Sequence, residues 1–458
     1  MPPTPRQSPE AVLAQMSRSL PQPSAKGIAA VLAHLIHDGQ IMPGDRLPTV
    51  REVATVLKVS APTVASAWAD LREQGILETR RRGGTFVMPF RDKPMFLPRS
   101  GRSRSRWIDL AFGVADPALL PPLGEALANG LVVAQLHDPQ KDHAIPALVE
   151  AIGRTIPFAP EAWSTASNGS EATLLVLSAL TQRGSRVAVE QPSSPRLMDI
   201  MQTLGLEVIP VACDASGPLP AALQTALQKD PALFLYQPRG QIPLGHSVPA
   251  ERIAELAQVL AERPEIMVIE DDNIGPLSAS EFVSTGSHLP GKVVVIRTYC
   301  RAYGVDLRCS VYAGPQALLR KAQSLRSHGA AMNSRILQGT LAWLVSDAKT
   351  TALIGRAAQT YTRRRGNLAA ALARQGIETQ GHDGVFLWVP VRSERAAVAA
   401  LGKHNIGVAA GSACYASFRA ESHIRVSVTL LPDESESVEL IAQMIAEAAS
   451  FQDPESLA

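Results

Sequence analysis

Four short apolar runs set the strongest limit on the fold. RVAVE at 186–190, LFLYQP at 233–238, IMVIEDD at 266–272 and VVVIRTY at 293–299 are rich in β-branched and aromatic residues and do not alternate polar with apolar. A strand apolar on both faces has to be covered on both. Segments of helical pattern at 170–182, 195–204 and 249–262 lie between the runs. Strands and helices in alternation predict an α/β fold built on a mostly parallel sheet. The longest apolar runs, such as IMVI and VVVI, are far short of the roughly 20 residues that a membrane-crossing helix needs. No internal repeat interrupts this pattern.

Charge divides the chain in two. Over 458 residues the net charge is only +2, which taken alone argues against a nucleic-acid partner. Residues 1–106 hold 16 Lys+Arg against 8 Asp+Glu, whereas residues 107–458 hold 28 against 34. A basic functional module joined to an acidic one is the expectation. The 46% hydrophobic content supports a large core and excludes wholesale disorder. Cys213, Cys300, Cys309 and Cys414 are too far apart for a CxxC zinc or redox motif. The opening MPPTPRQSPE has no apolar secretion segment, so a soluble, reducing, cytoplasmic setting is expected.

The basic module contains LPTVREVATVLKVSAPTVASAWADLREQG at 47–75. Val50, Val53, Ala54 and Leu57 repeat at i, i+3, i+4 and i+7, and Val64, Ala67, Trp68 and Leu71 repeat that spacing. Thr49 can cap the first helix; Ser60 or Ala61 opens the second, with Pro62 in its first turn, where proline costs least. Two short amphipathic helices joined by the tight KVSA connection make a helix-turn-helix. GILETRRRGGTFV then predicts two strands around a glycine turn with three arginines, a wing that would lie on DNA phosphates or in the minor groove.

In this order the motifs resemble the GntR-family winged helix over residues 25–90, with GDRLPTVREVA, VSAPTV and GGTFV in the family's places. Double-stranded DNA is the partner this implies. By resemblance, Arg51 touches the DNA backbone, the face of Ala61, Thr63 and Ser66 enters the major groove, Arg80, Arg81 and Arg82 tip the wing, and Gly84 lets it approach. Ala61 departs from the arginine that many members use to read a base, which shifts weight to Thr63 and the wing; Thr63 also has a plain role as a first-turn cap. Residues 1–24, rich in Pro, Ser and Gln, read as a disordered tail, and the Pro- and Arg-rich stretch ending at 108 as a basic linker from 91.

Residues 109–458 resemble fold type I, pyridoxal-phosphate-dependent aminotransferases, with a small subdomain from about 360. A GntR winged helix, a cationic linker and this domain are the order of the MocR regulators. LAFGVADPALLP, VAVEQP, YQPRG and VDLR look closest to their PtsJ-like branch. The resemblance implies a phosphate cup at the backbone of Gly169, Ser170 and Glu171, where a helix start favours an anion. It implies Asp271 beside the cofactor's pyridinium nitrogen and Arg308 on the phosphate. Carboxylates ending the IMVIEDD strand are expected to point into the ligand crevice. Arg425, in the apolar strand HIRVSV, matches the arginine that grips a substrate carboxylate.

Four positions depart from that pattern. Arg301 stands where the Schiff-base lysine belongs, and a guanidinium is neither neutral nor interchangeable with an amine. Lys292 precedes its strand, and Lys321 lies in a helical segment beyond. Ser194 replaces the stacking aromatic, Asn273 the tyrosine on the ring's phenolic oxygen, and Ile242 the asparagine of NPTG. The resemblance therefore implies a homodimeric transcriptional regulator that senses a small anionic effector and is not an enzyme. Pyridoxal phosphate or a related vitamer would be held without a covalent bond. An aminotransferase with an accessory DNA-binding domain is the alternative, and a ligand-free scaffold the third reading. No metal site is expected.

Each cation on a phosphate adds about 1 to the slope of log affinity against log salt. Arg81→Ala is expected to lower that slope by about 1 and leave sequence preference alone. An unchanged slope in a salt titration removes the wing tip from the contact surface.

Overall fold

The computed structural model describes residues 9–19, 24–37, 41, 45–73, 76–80, 84–87, 107–134, 136–137, 143–327, 329, 331–416 and 421–452. The N-terminal unit runs α1 (Pro9–Ser19), α2 (Ala25–His37), α3 (Val50–Leu57), α4 (Ala61–Glu73), β1 (Leu77–Arg80) and β2 (Gly84–Val87). A capping box starts α3: Thr49 Oγ1 accepts the Glu52 N–H at 3.3 Å, and the Glu52 carboxylate accepts the Thr49 N–H at 2.7 Å. Lys58, left-handed at φ 55°, ends it. The Ser60 hydroxyl then accepts the Thr63 N–H at the start of α4. Val53, Ala54, Val64, Ala67, Trp68 and Leu71 are buried together with Ile28 and Leu32 of α2. In the hairpin Leu77 faces Val87 and Arg80 faces Gly84. Leu47 and Asp45 bond to its outer edge, through Leu47 N–H to Thr85 O and Val87 N–H to Asp45 O.

The expected tail needs correction. Residues 9–19 form α1, and its Val12 and Met16 are fully buried against this core. Spaced i, i+4, they make one helical face that the Pro, Ser and Gln around them obscured.

The large unit begins with β3 (Ile108–Asp109), so the expected linker stops short of 108; residues 91–106 lie outside the described residues. Then come α5 (Leu123–Val133), α6 (Pro146–Gly153), β4 (Ala162–Ala166), α7 (Gly169–Leu180), β5 (Arg186–Gln191), α8 (Pro195–Leu204), β6 (Glu207–Asp214) and β7 (Gly217–Pro218). They are followed by α9 (Pro220–Leu227), β8 (Leu233–Tyr236), α10 (Ala250–Ala261), β9 (Met267–Asp272), β10 (Val293–Arg297), α11 (Cys300–Tyr303), β11 (Ser310–Gly314) and α12 (Gln316–Arg326). The sheet order is β4-β11-β10-β9-β8-β5-β6-β7. β5, β6, β8, β9 and β10 pair in parallel, and β11 is antiparallel to both neighbours. Each of the four apolar runs is a strand of this sheet. One face packs on α7, α8 and α12 through residues such as Val176, Leu197 and Leu319; the other packs on α9 and α10 through Leu223 and Leu256.

The remaining elements are α13 (Arg335–Ser346), α14 (Ala348–Arg374), β12 (Phe386–Pro390), α15 (Glu394–Lys403), β13 (Ile406–Gly407), β14 (Ala409–Ala410), β15 (His423–Ser427) and α16 (Ser435–Ser450). The expected subdomain boundary near 360 falls inside α14, one continuous helix of 27 residues. β3 pairs with β13, so the first strand of the large unit is stitched to its last third. Sequence order hides that contact. Among the described residues no helix is long and apolar enough to cross a membrane.

Met16 is about 1% exposed, and truncating it leaves a cavity. Met16→Ala is expected to destabilise the N-terminal unit by about 2–5 kcal/mol in urea unfolding. A change under about 0.5 kcal/mol, the range of surface substitutions, detaches α1 from the core.

Candidate functional site

Two surfaces carry the expected chemistry. On the N-terminal unit Arg51, Ala61 and Ser66 are exposed. Thr63 is half-buried, and its hydroxyl pairs with Ser60 Oγ at 2.7 Å, so the capping role is occupied. Arg80 ends β1 opposite Gly84; Arg81 and Arg82 lie outside the described residues. A residue not singled out from sequence joins this surface. Arg46 bridges to Phe86, and its guanidinium crosses Gly84 so closely that a Cβ there would lie 2.9 Å from Arg46 Nε. Its signal was available in GDRLP, where the cation precedes the cap by three residues.

The pocket of the large unit forms at the carboxyl ends of the parallel strands, where open α/β sheets bind ligands. Asn168 caps α7 by accepting the Glu171 N–H at 2.9 Å. That leaves the Gly169 and Ser170 amides at the helix start as the anion-facing pair. Glu171 does not join them: its amide is spent on the cap, and its carboxylate accepts from Ser167 N–H and binds Arg326 at 2.8 Å. Antiparallel pairing sets Ala166, two residues before the Asn168 cap, opposite Ser310, two residues after Arg308. Arg308 is exposed, with φ 47°. Gly169 is required by contact: a Cβ would come within 2.6 Å of Thr298 Cγ2 at the end of β10.

The three carboxylates ending β9 do not all enter the crevice, because successive side chains alternate faces. Glu270 turns into the core and accepts from Tyr236, Ser284 and Thr285. Asp272 is fully buried between two guanidinia, Arg239 through Nε at 2.9 Å and Nη2 at 3.0 Å, and Arg297 through Nε. Burial alone would raise its pKa, but the two arginines outweigh it and hold the carboxyl at about 2. Only Asp271 faces the ligand side. There it is ion-paired with Arg196 at the start of α8. Arg196 also donates to Thr173 Oγ1 at 3.3 Å, so its guanidinium lies between the first turn of α7 and Asp271. Burial pushes the Asp271 carboxyl up, opposed by Arg196.

Sequence reasoning missed Arg196. Pro195 and Arg196 look like an ordinary helix start, and only the approach of α8 to β9 reveals the pair. Arg301 follows β10 and donates to both the side-chain and main-chain oxygens of Asn273. Arg425 in β15 donates to Ala111 O at 3.0 Å. The Phe386 ring lies under both, 5.9 Å from the Arg301 Cζ and 4.7 Å from the Arg425 Cζ. Gly113 abuts the same ring, where a Cβ would sit 2.6 Å from Phe386 Cζ. The Nε atoms of Arg301 and Arg425 are buried and have no hydrogen-bond partner, as has Asp271 Oδ1. Burial lowers the pKa of both arginines, and Arg196 and Arg425 lower that of Arg301 further. The arrangement is rich in cations: Arg196 pairs with Asp271, Arg301 lies within its field, and Arg425 adds a third buried guanidinium, a set that invites an anion. Lys292 stands at the opposite end of β10, and Lys321 donates to Ala179 O at 2.8 Å.

The residues at 271 and 301 do not provide for a covalently held pyridoxal phosphate ring. Gly169, Ser170 and Arg308 are the positions expected to meet its phosphate. At the ring end, the carboxylate expected beside the pyridinium nitrogen is taken by Arg196, and the amine position is filled by a guanidinium held on Asn273.

Residues 24–87 match the gntR family of bacterial regulatory proteins, and residues 133–441 match aminotransferase class I and II. Among characterised relatives, the vitamin B6 salvage pathway transcriptional repressor PtsJ of Salmonella typhimurium is 30% identical over 408 residues, 88% of this chain and 94% of that protein. The pyridoxine biosynthesis transcriptional regulator PdxR of Corynebacterium glutamicum is 28% identical over 353 residues, 73% of this chain and 75% of that one. TauR of Rhodobacter capsulatus, another transcriptional regulator, is 27% identical over 395 residues, 76% and 79%. The kynurenine aminotransferase of Pyrococcus horikoshii superposes with a TM-score of 0.68 at 19% identity, over 78% of this chain and 92% of that one. That likeness carries the aminotransferase fold.

Because the Asp272 pKa of about 2 lies below the unfolded carboxylate's ~3.9, its stabilisation is complete above about pH 4 and is lost as pH falls toward 2. Asp272→Asn leaves two buried guanidinia short of charge and is expected to cost about 3–5 kcal/mol at neutral pH. Urea unfolding between pH 7 and 2.5 should show the gap between the two proteins narrowing on the acid side; a constant gap refutes the pairing.

Proposed function

This chain belongs to the bacterial regulators that join a gntR-family domain to an aminotransferase class I and II domain, and from that premise we propose how it works. It is a DNA-binding transcriptional regulator. Its aminotransferase-like unit binds a small anionic effector and neither forms a Schiff base nor turns over substrate. The observation that carries this reading is the cluster of Arg196, Arg301 and Arg425 with Asp271 as the one carboxylate among them.

Arg425 and Arg301 clamp the effector's carboxylate or phosphate against Phe386, and the Gly169 and Ser170 amides with Arg308 offer a second anionic subsite. The names of PtsJ and PdxR make vitamin B6 compounds natural probes. Pyridoxal phosphate or a related vitamer would enter without a covalent bond, anchored at its phosphate. On the DNA side, Arg51, Arg46, Ser66, Thr63, Gly84 and Arg80–Arg82 face the operator duplex, with Arg51 and the wing on phosphates.

The protein acts as a cytoplasmic homodimer. Leu127, Leu131 and Val132 leave an apolar stripe on α5, and Val132 is 81% exposed, which supports a second copy packing there. Effector binding then alters the placement of two winged helices and the half-site spacing they span.

Purified protein is expected to show no borohydride-sensitive visible band. Pyridoxal phosphate, pyridoxine and dicarboxylic amino acids are the set for thermal-shift screening, followed by footprinting. Arg301→Leu and Arg425→Leu are each expected to weaken the binding compound about tenfold to a hundredfold, the value of one charge-assisted bond. A lysine-linked cofactor in the mass spectrum, or a footprint unchanged by every compound that binds, overturns the reading.

A further inference from the structure

A second polar cluster lies on the β6 side of Asp271. The parallel register of β5 and β6 sets Glu190 opposite Val211, so Glu190 and Cys213 project from the same face. His246 reaches them from the segment after β8, which is held by Gln241 N–H to His246 O and Val248 N–H to Pro238 O. One ligand atom from each of Glu190, Cys213 and His246 lies within 4.8 Å of the other two.

Glu190 is fully buried and His246 is 2% exposed. Glu190 Oε1 is oriented by the Gln237 N–H at 2.8 Å and Gln237 Nε2 at 3.0 Å. Its Oε2 has no hydrogen-bond partner, and neither has either ring nitrogen of His246. The two approach to 3.5 Å, close enough to oppose but beyond a good hydrogen bond. Buried polar atoms left unspent are costly, and here they converge on a thiol.

We propose that Glu190, Cys213 and His246 form a zinc site. One carboxylate oxygen, one thiolate sulfur and one imidazole nitrogen are a borderline-soft donor set, suited to Zn²⁺ and unsuited to Ca²⁺ or Mg²⁺. Bond lengths of 2.0–2.3 Å place zinc ligands about 3–4 Å apart, close to the separations present. Three protein ligands leave the fourth position to water. Gln237 orients the carboxylate as an outer partner. Cys213 is only half-buried and provides the access route; its thiol proton leaves to solvent as the metal binds. The metal would tie β5, β6 and the segment after β8 together.

The test uses the full chain, stripped with a chelator and titrated with Zn²⁺ alone and with Co²⁺ as a spectroscopic probe. One metal per chain after buffer exchange is expected, and Co²⁺ should give a near-ultraviolet thiolate charge-transfer band. Cys213→Ser should abolish the band, and His246→Gln should weaken Zn²⁺ at least tenfold. Circular dichroism checks that both variants are folded; Cys213→Ser, at a half-buried position, keeps the test available should His246→Gln misfold. No retained metal in the stripped and refilled wild-type chain overturns the proposal and leaves a buried His–Glu ion pair. A band that survives Cys213→Ser overturns it as well.

Discussion

The pocket depends on what its carboxylates are paired with. β9 ends in three acids, and the alternation of a strand sends them to different fates. Asp272 is locked between Arg239 and Arg297, which also stack on Phe282, and this triad clamps the carboxyl ends of β9 and β10 to the segment after β8. Asp271 on the other face is claimed by Arg196. A buried charge without a partner costs several kcal/mol, so each pairing dictates what else can stand nearby. The pairing with Arg196 spends Asp271 Oδ2 and leaves Oδ1 without a hydrogen-bond partner.

That pairing supports the proposed use of the aminotransferase architecture as a sensor. The frame at the strand ends includes the capped start of α7 and the antiparallel pairing of β4 with β11 that precedes it. What has changed is the charge inside it. Arg301 and Arg196 bring fixed positive charge, and Arg301 and Arg425 both lie over the Phe386 ring. Binding an anion there needs no proton transfer and no reactive amine. A sensor requires differential binding between two states of the protein rather than a lowered barrier.

Much of the local structure was legible because its causes are local. The i, i+3, i+4 spacing around Val53 and Val64 sets the two helices of the helix-turn-helix, and Thr49 with Glu52 forms the capping box that ends the first loop. The four β-rich runs became buried strands because nothing but a covered sheet accepts them. Composition misled at α1, where Val12 and Met16 bury a helical face inside a stretch that reads as a polar tail. At Glu171 a cap takes up the amide that was expected at a phosphate, and the geometry of a cap is finer than the residue pattern.

The sequence by itself determined the order of the two units and their opposite charges. Those follow from composition, period and spacing, which are properties of neighbours along the chain. Only the tertiary structure decided that Arg196 answers Asp271, that Arg239 and Arg297 share Asp272, that Arg46 crosses the wing at Gly84, and that Glu190, Cys213 and His246 meet. Charge pairing and metal ligation act over a few ångströms between residues tens of positions apart. No pattern in a linear chain records which of its arginines will arrive at which carboxylate.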